Sequence, residues 1–232
     1  MSEQRFPGFS AEGARFFRTL AKKQDRAWFK AHQADFEALW KGPMEALMDE
    51  LARALDPVYP TLDLAPPKVF RIHRDVRFSA DKSPYKTNIA GILSVAGGGS
   101  GPGAVTEGAA AIYAHFGLEN LGAAGQFNLS TEGLARYRAA VLAEPTGKEI
   151  AGLVKRLEKA GFRPIAMSSL KKTPRGVDPD HPRADLLRLK GLGVSFPPIP
   201  GDLLYDRKLL GWLVKQAKAA APLVEWMAYT TR

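Results

Sequence analysis

The spacing of apolar residues changes twice along this chain, and that constrains the fold more than any other feature. As far as Leu55 the apolar positions recur at helical intervals. Ser10 is placed to cap a helix whose Phe16, Phe17 and Leu20 point inward, and Asp25 a second running through Trp28, Phe29, Phe36 and Leu39 until Gly42-Pro43 ends it. Met44, Leu47, Met48, Leu51 and Leu55 form the stripe of a third, broken by Asp56-Pro57 and Tyr59-Pro60. From Lys68 the period falls to two, giving expected strands at 69–73, 89–95 and 110–118, with a short one at 126–129. The glycine-rich stretch 97–108 suits a long hairpin loop and not a crossover helix, so the strands beside it are expected to pair antiparallel.

The helical interval then returns. Ser130 is placed to cap a helix carrying Leu134, Tyr137, Val141 and Leu142; Thr146-x-x-Glu149 reads as a capping box for the next, which Gly161 terminates. A short helix over 182–189, an extended piece at 194–196 and a long helix from Leu203, kinked or divided at Pro222, complete the pattern. Helices, a run of strands, then helices again predict an α+β fold, a mainly antiparallel sheet with helices packed on one face, as a single domain over 1–232.

Composition supports an ordinary globular chain: of 232 residues, 45% are apolar and 25% charged, which excludes wholesale disorder. There is no cysteine, so disulfides, thiolate metal sites and a cysteine nucleophile are excluded. The first ten residues hold no apolar leader core and no stretch is long and apolar enough to span a bilayer, so a cytoplasmic protein without a membrane partner is expected. The net charge of +9 is concentrated in two segments. Between Lys68 and Lys86 six basic residues face two acidic ones, a net of +4; between Lys155 and Lys190 ten face four, a net of +6. If the two meet in space, they make a basic face for a polyanion, either nucleic acid or a phosphorylated small molecule.

The densest chemistry lies between Arg71 and Thr87, in one strand-to-strand connection. Arg71, Arg74, Arg77, Lys82 and Lys86 supply cationic donors, and Ser79, Ser83, Tyr85 and Thr87 supply hydroxyls, a combination suited to a phosphate or carboxylate. Alternation puts Phe70 and Ile72 on one face and Arg71 and His73 on the other. Asp75 and Asp81 have two readings: they lock the loop by pairing with its arginines, or, with His73 and Tyr85, they are candidate proton-transfer groups. No nucleophile stands out.

The run from Lys68 to Thr87, K-V-F-R-I-H-R-D-V-R-F-S-A-D-K-S-P-Y-K-T, resembles the F-R-I-x-R-D-x-R-F-S-x-D-K-S-P-Y-K-T block of the bacterial family catalogued as domain of unknown function 2461. The aromatic opening from Phe17 to Phe29 is similar to that family's paired helices, with Gln24-Asp25 where the family has two asparagines. Gly125-Gln126-Phe127 resembles its Gly-Gly-Tyr-like turn, and the block from Leu170 to Pro182 its L-K-x-x-P-x-G-x-x-x-x-H-P motif. The resemblance implies a single-domain α+β protein and carries no activity with it.

Within the block from Leu170 to Pro182, Lys171, Lys172 and Arg175 are further anion-binding candidates, and Asp180 is placed to cap the helix that follows. Asp178 and His181 are too few to hold a metal, His32 and His115 read as packing or surface residues, and no nucleotide, cofactor or hydrolase motif is present, so neither metal nor cofactor is expected. Three functions remain open: an anion-binding module using the basic segments, an enzyme acting on a phosphorylated or carboxylated small molecule, and a non-catalytic structural or interaction protein.

Overall fold

The computed structural model describes residues 5–96 and 109–232; the expected loop at 97–108 lies outside the described residues. Helix α1 (Ala11–Lys23) begins where the Ser10 hydroxyl accepts the Glu12 amide, and it buries Phe16, Phe17 and Leu20. Asp25 accepts the Trp28 amide at the start of α2 (Arg26–Ala31), which leads through α3 (Gln33–Phe36) into a π-helical turn at Glu37–Lys41 and on into α4 (Gly42–Leu55). Gly42-Pro43 therefore does not end a helix, contrary to the sequence pattern. Pro43 has no amide to offer and crowds the carbonyl four residues back. The wider turn relieves this: Gly42 donates to Glu37, five residues back, and both Lys41 and Gly42 keep right-handed helical angles.

The sheet is built from β1 (Asp63–Leu64), β2 (Lys68–Val69), β3 (Asn88–Ala96), β4 (Ala110–Gly117) and β5 (Leu121–Gln126), then β6 (Arg163–Ile165) and β7 (Leu192–Ser195). Every pairing is antiparallel, in the order β1-β3-β4-β5-β7-β6, with β2 also on β3. The β1 and β2 pieces are one edge strand interrupted at Pro66-Pro67, which have no amides for the ladder. The expected strand at 69–73 thus stops at Val69, and the one expected at 126–129 instead ends at Gln126. β5 was disguised because Leu-Gly-Ala-Ala-Gly-Gln has no β-branched residue, and its small side chains are buried.

Ile89, Leu93 and Val95 of β3 share a face with Ile112, Ala114 and Phe116 of β4, and this face packs on α4 and on α8 (Lys208–Thr230). At Gly91 a Cβ would lie 2.8 Å from both Met44 Cε and Met48 Cγ, so the absent side chain lets α4 lie close on the sheet. With buried aliphatic area worth about 25 cal/mol per Å², this interface is a principal stabilising element. Helix α8 runs unbroken through Pro222, starting at Lys208 after a 3-10 turn over Gly201–Tyr205.

Helix α5 (Thr131–Leu142) is capped by the Ser130 hydroxyl, which accepts the Gly133 amide. Its Leu142 is exposed, so that position does not belong to the buried stripe. Helix α6 (Glu144–Lys159) starts at Glu144-Pro145, and Thr146 donates to the Ala140 carbonyl, so the expected capping box does not form. Gly161 has a φ of 89° just past the end of α6, the left-handed stop the sequence implied. At α7 (Ala184–Arg188) Asp180 does not cap; His181 Nδ1 accepts the Arg183 amide there. The buried Arg183 instead donates to the carbonyls of Val141 and Leu142 and to Glu144, joining the end of α5 to the start of α6.

Candidate functional site

After Phe70 the chain leaves the sheet edge as a narrow ribbon. Its two arms are held by Lys86 donating to Ile72 (2.8 Å), Arg74 donating to Pro84 (2.9 Å), and a bridge between His73 and Tyr85. Ile72 and Tyr85 are buried at its root, where the Tyr85 ring stacks on Phe29 at 4.4 Å between centroids. His73 stays exposed, edge-on to Phe29. Gln24 fastens the ribbon to α1: its side-chain oxygen accepts the Tyr85 amide at 3.0 Å and its side-chain nitrogen donates to the Tyr85 carbonyl at 3.2 Å. Gln24 itself is in the left-handed region, with a φ of 44°. The junction therefore needs one residue that closes a helix in that conformation and one that opens the next, and Asp25 serves the second.

The tip of the ribbon is stapled by its own charges. Arg77 grips Asp75 with two nitrogens, Nε at 3.0 Å and Nη2 at 2.7 Å, and Arg74 pairs with Asp81. Asp81 also accepts the Ser83 amide, Ser79 donates its amide to Val76, and Lys82 donates to the Val76 carbonyl. Hydrogen bonding by Arg77 lowers the Asp75 carboxyl to about 2, and bonding by Ser83 and Arg74 holds Asp81 far below the usual carboxylate range. Both are fully ionised near neutrality with their lone pairs engaged, so neither is poised as a general acid. Above these staples Phe78 projects into solvent with 97% of its surface exposed, its ring 5.9 Å from the Arg77 guanidinium carbon.

Four cations of the segment remain after this pairing: Lys82, whose ammonium donates to the Val76 carbonyl, and Lys68, Arg71 and Lys86. Among the described residues none has a carboxylate within ion-pairing distance. The ammonium groups of Lys68 and Lys86 lie 5.8 and 5.4 Å from the centre of the Phe70 ring. Lys86 is half-buried, and its pKa is lowered by desolvation and by the nearby positive charge of Arg71. Beside it opens a cleft of about 380 Å³ lined by Gln24, the paired Arg74 and Asp81, Ser83, Lys86, Thr87 and Asn88, among others. β4 approaches Thr87 and Asn88 closely because Gly117 lacks a side chain: a Cβ there would come within 2.3 Å of the Thr87 carbonyl. The cleft thus brings the Lys86 ammonium, hydroxyls and amides beside the Asp81 carboxylate, which Arg74 pairs.

The other basic segment lies elsewhere. Lys171, Lys172 and Arg175 are exposed on the connection after β6, which Leu170 and Lys190 tie to Arg188 and Ser168 beside α7. β6 is at the opposite edge from β2, five strand spacings or roughly 24 Å away. Moreover, Ile165 leaves β6 at the end of the sheet away from Asn88, because Arg163 and Ser195 are at the same end as Leu121 and Gly117. The strand order therefore does not bring the two basic segments together. Reading the sequence also passed over Gln24, Asn88 and Lys68 as site residues. Lys68 was visible as a charge, but its approach to Lys86 depends on the ribbon folding back.

Among the described residues there is no group of three or more His, Asp or Glu arranged to hold a metal, and no helix long and apolar enough to cross a membrane. No curated protein and no solved structure matches this chain. A family profile does match over residues 12–226, taking in the paired aromatic helices, the stapled ribbon, the sheet and most of α8, and on that evidence the chain belongs to the family described as conserved hypothetical protein (DUF2461).

Proposed function

We propose that this protein binds a phosphate-bearing ligand at the root of the stapled ribbon, with Lys86, Arg71 and Lys68 supplying the charge and Ser83, Thr87 and Asn88 completing the contacts. The observation that carries this reading is Lys86: a half-buried ammonium beside the Arg71 charge that has no carboxylate within ion-pairing distance among the described residues. Burying a charge without a counter-charge costs stability unless something else compensates, and a bound anion does so. A cleft of about 380 Å³ is also within the ordinary range for a small-molecule site, and it favours a discrete phosphorylated ligand over a broad polyelectrolyte track. The separation of the two basic segments points the same way.

Calorimetric titration with inorganic phosphate and with ribose 5-phosphate tests the reading. Binding is expected at low salt, weakening as salt rises. Lys86→Met should weaken it roughly 10- to 100-fold, the worth of one charge-assisted hydrogen bond, while Lys171→Met and Lys172→Met leave it unchanged. Absence of binding by the wild-type protein, or equal weakening by the Lys171 and Lys86 substitutions, refutes it.

A further inference from the structure

The face of the sheet turned away from α4 carries an arrangement that the cleft alone does not use. Gly91 of β3 points at Met44 and Met48, so Ala90 and Ile92 point to the other side. The strand registers then set Lys68, Ile92, Tyr113 and Ala123 in one row across four strands, and Phe70, Ala90 and His115 in the next. Phe70 and Tyr113 are half-buried with ring centres 6.4 Å apart, and the Tyr113 hydroxyl is 3.1 Å from His115 Nδ1. The Phe70 ring is also the one flanked by the Lys68 and Lys86 ammonium groups. Two lysine ammonium groups thus flank the Phe70 ring, with the Tyr113 hydroxyl and the His115 imidazole on the neighbouring strand and Arg71 close enough to Lys86 to act on its charge.

A simple sugar phosphate would engage the cations and leave the rings idle. A ligand that joins phosphate to a flat heteroaromatic ring uses both. We propose that the ligand of this site is a nucleotide, its phosphate held by Lys68 and Lys86 with Arg71 nearby, its base stacked on one of the Phe70 and Tyr113 rings and meeting the other, tilted by 54°, at its edge, and its polar edge in reach of the Tyr113–His115 pair. This rests on the phosphate-binding reading above and narrows it. Stacking on an aromatic side chain is tolerant of base identity, so purine and pyrimidine nucleotides are both accepted, the purine more tightly for its larger face. The same chemistry is offered by a free nucleotide and by one residue of a single strand.

The test compares AMP, UMP, ribose 5-phosphate and a ten-residue oligoadenylate on the full chain. AMP is expected to bind roughly 5- to 100-fold more tightly than ribose 5-phosphate, the range that one stacked base contributes. Phe70→Leu and Tyr113→Leu should each shrink that ratio while leaving ribose 5-phosphate binding in place, and a variant that fails to fold is replaced in the comparison by the other. Oligoadenylate binding with a steep salt dependence and above the affinity of AMP identifies a strand as the source; equal or weaker binding identifies the free nucleotide. If AMP and ribose 5-phosphate bind equally, the nucleotide assignment is overturned and the phosphate site stands. If neither binds, both fall.

Discussion

Replacing Gln24 separates two energies that one residue combines. The wild-type side chain makes two hydrogen bonds to the Tyr85 backbone, each worth about 1 kcal/mol net. Its backbone, with a φ of 44°, bears the left-handed penalty of about 1–2 kcal/mol that any residue with a Cβ incurs. Gln24→Ala deletes the bonds and keeps the penalty, so it should destabilise the protein by about 2 kcal/mol. Gln24→Gly deletes the same bonds but relieves the strain, less about 0.5–1 kcal/mol for the extra freedom glycine has when unfolded. Its net loss should be nearer 1 kcal/mol. Glycine is thus expected to be the milder substitution at the end of a helix, the reverse of its rank inside one. Urea denaturation followed by circular dichroism reads the difference directly, and for a chain of this length 1 kcal/mol moves the thermal midpoint by about 2–4 °C. Should Gln24→Gly prove as damaging as Gln24→Ala or worse, the strain argument is wrong; should neither lose stability, the clamp on the ribbon contributes nothing.

The ribbon staples predict an acid response. Because Asp75 and Asp81 have folded pKa values below their ordinary ones, their contribution is complete above about pH 4 and disappears as pH falls through the folded values, for Asp75 between its ordinary 3.8 and about 2. The protection of the Arg77 and Ser83 amides, taken as exchange relative to the intrinsic rate at each pH, should fall over that interval, and Asp75→Asn should remove the pH dependence of that protection at Arg77; protection unchanged from pH 5 to 2 would contradict the staple. Arg183→Met strands the Val141 and Leu142 carbonyls and should cost about 2–4 kcal/mol in urea melts, with Arg183→Lys rescuing little because it lacks the planar fork. The buried Tyr59 hydroxyl has no hydrogen-bond partner among the described residues, so Tyr59→Phe should be neutral or stabilising by up to about 1 kcal/mol; a clear loss of stability would show that the hydroxyl is satisfied.

What could be read from the chain alone was whatever is decided within a turn or two of backbone. The Ser10, Asp25 and Ser130 caps, the buried stripes of α1 and α4 and the Gly161 stop are local balances of hydrogen bonding and side-chain spacing, and they formed as their residues imply. So did the locking of Asp75 and Asp81, whose arginine partners are two and seven residues away. The Gly42-Pro43 break, the Thr146 capping box and the Asp180 cap were local readings that failed, because packing or a competing partner was worth more than the short-range signal. Which residues meet at the candidate site was decided only by long-range pairing. Strand order sent Lys171, Lys172 and Arg175 to the far corner of the sheet, and register set Tyr113 beside Phe70, forty-three positions earlier in the chain. The reason is physical: a charge or a ring acts over a few ångströms, and which groups come that close depends on how the strands and helices pack, not on their neighbours along the backbone.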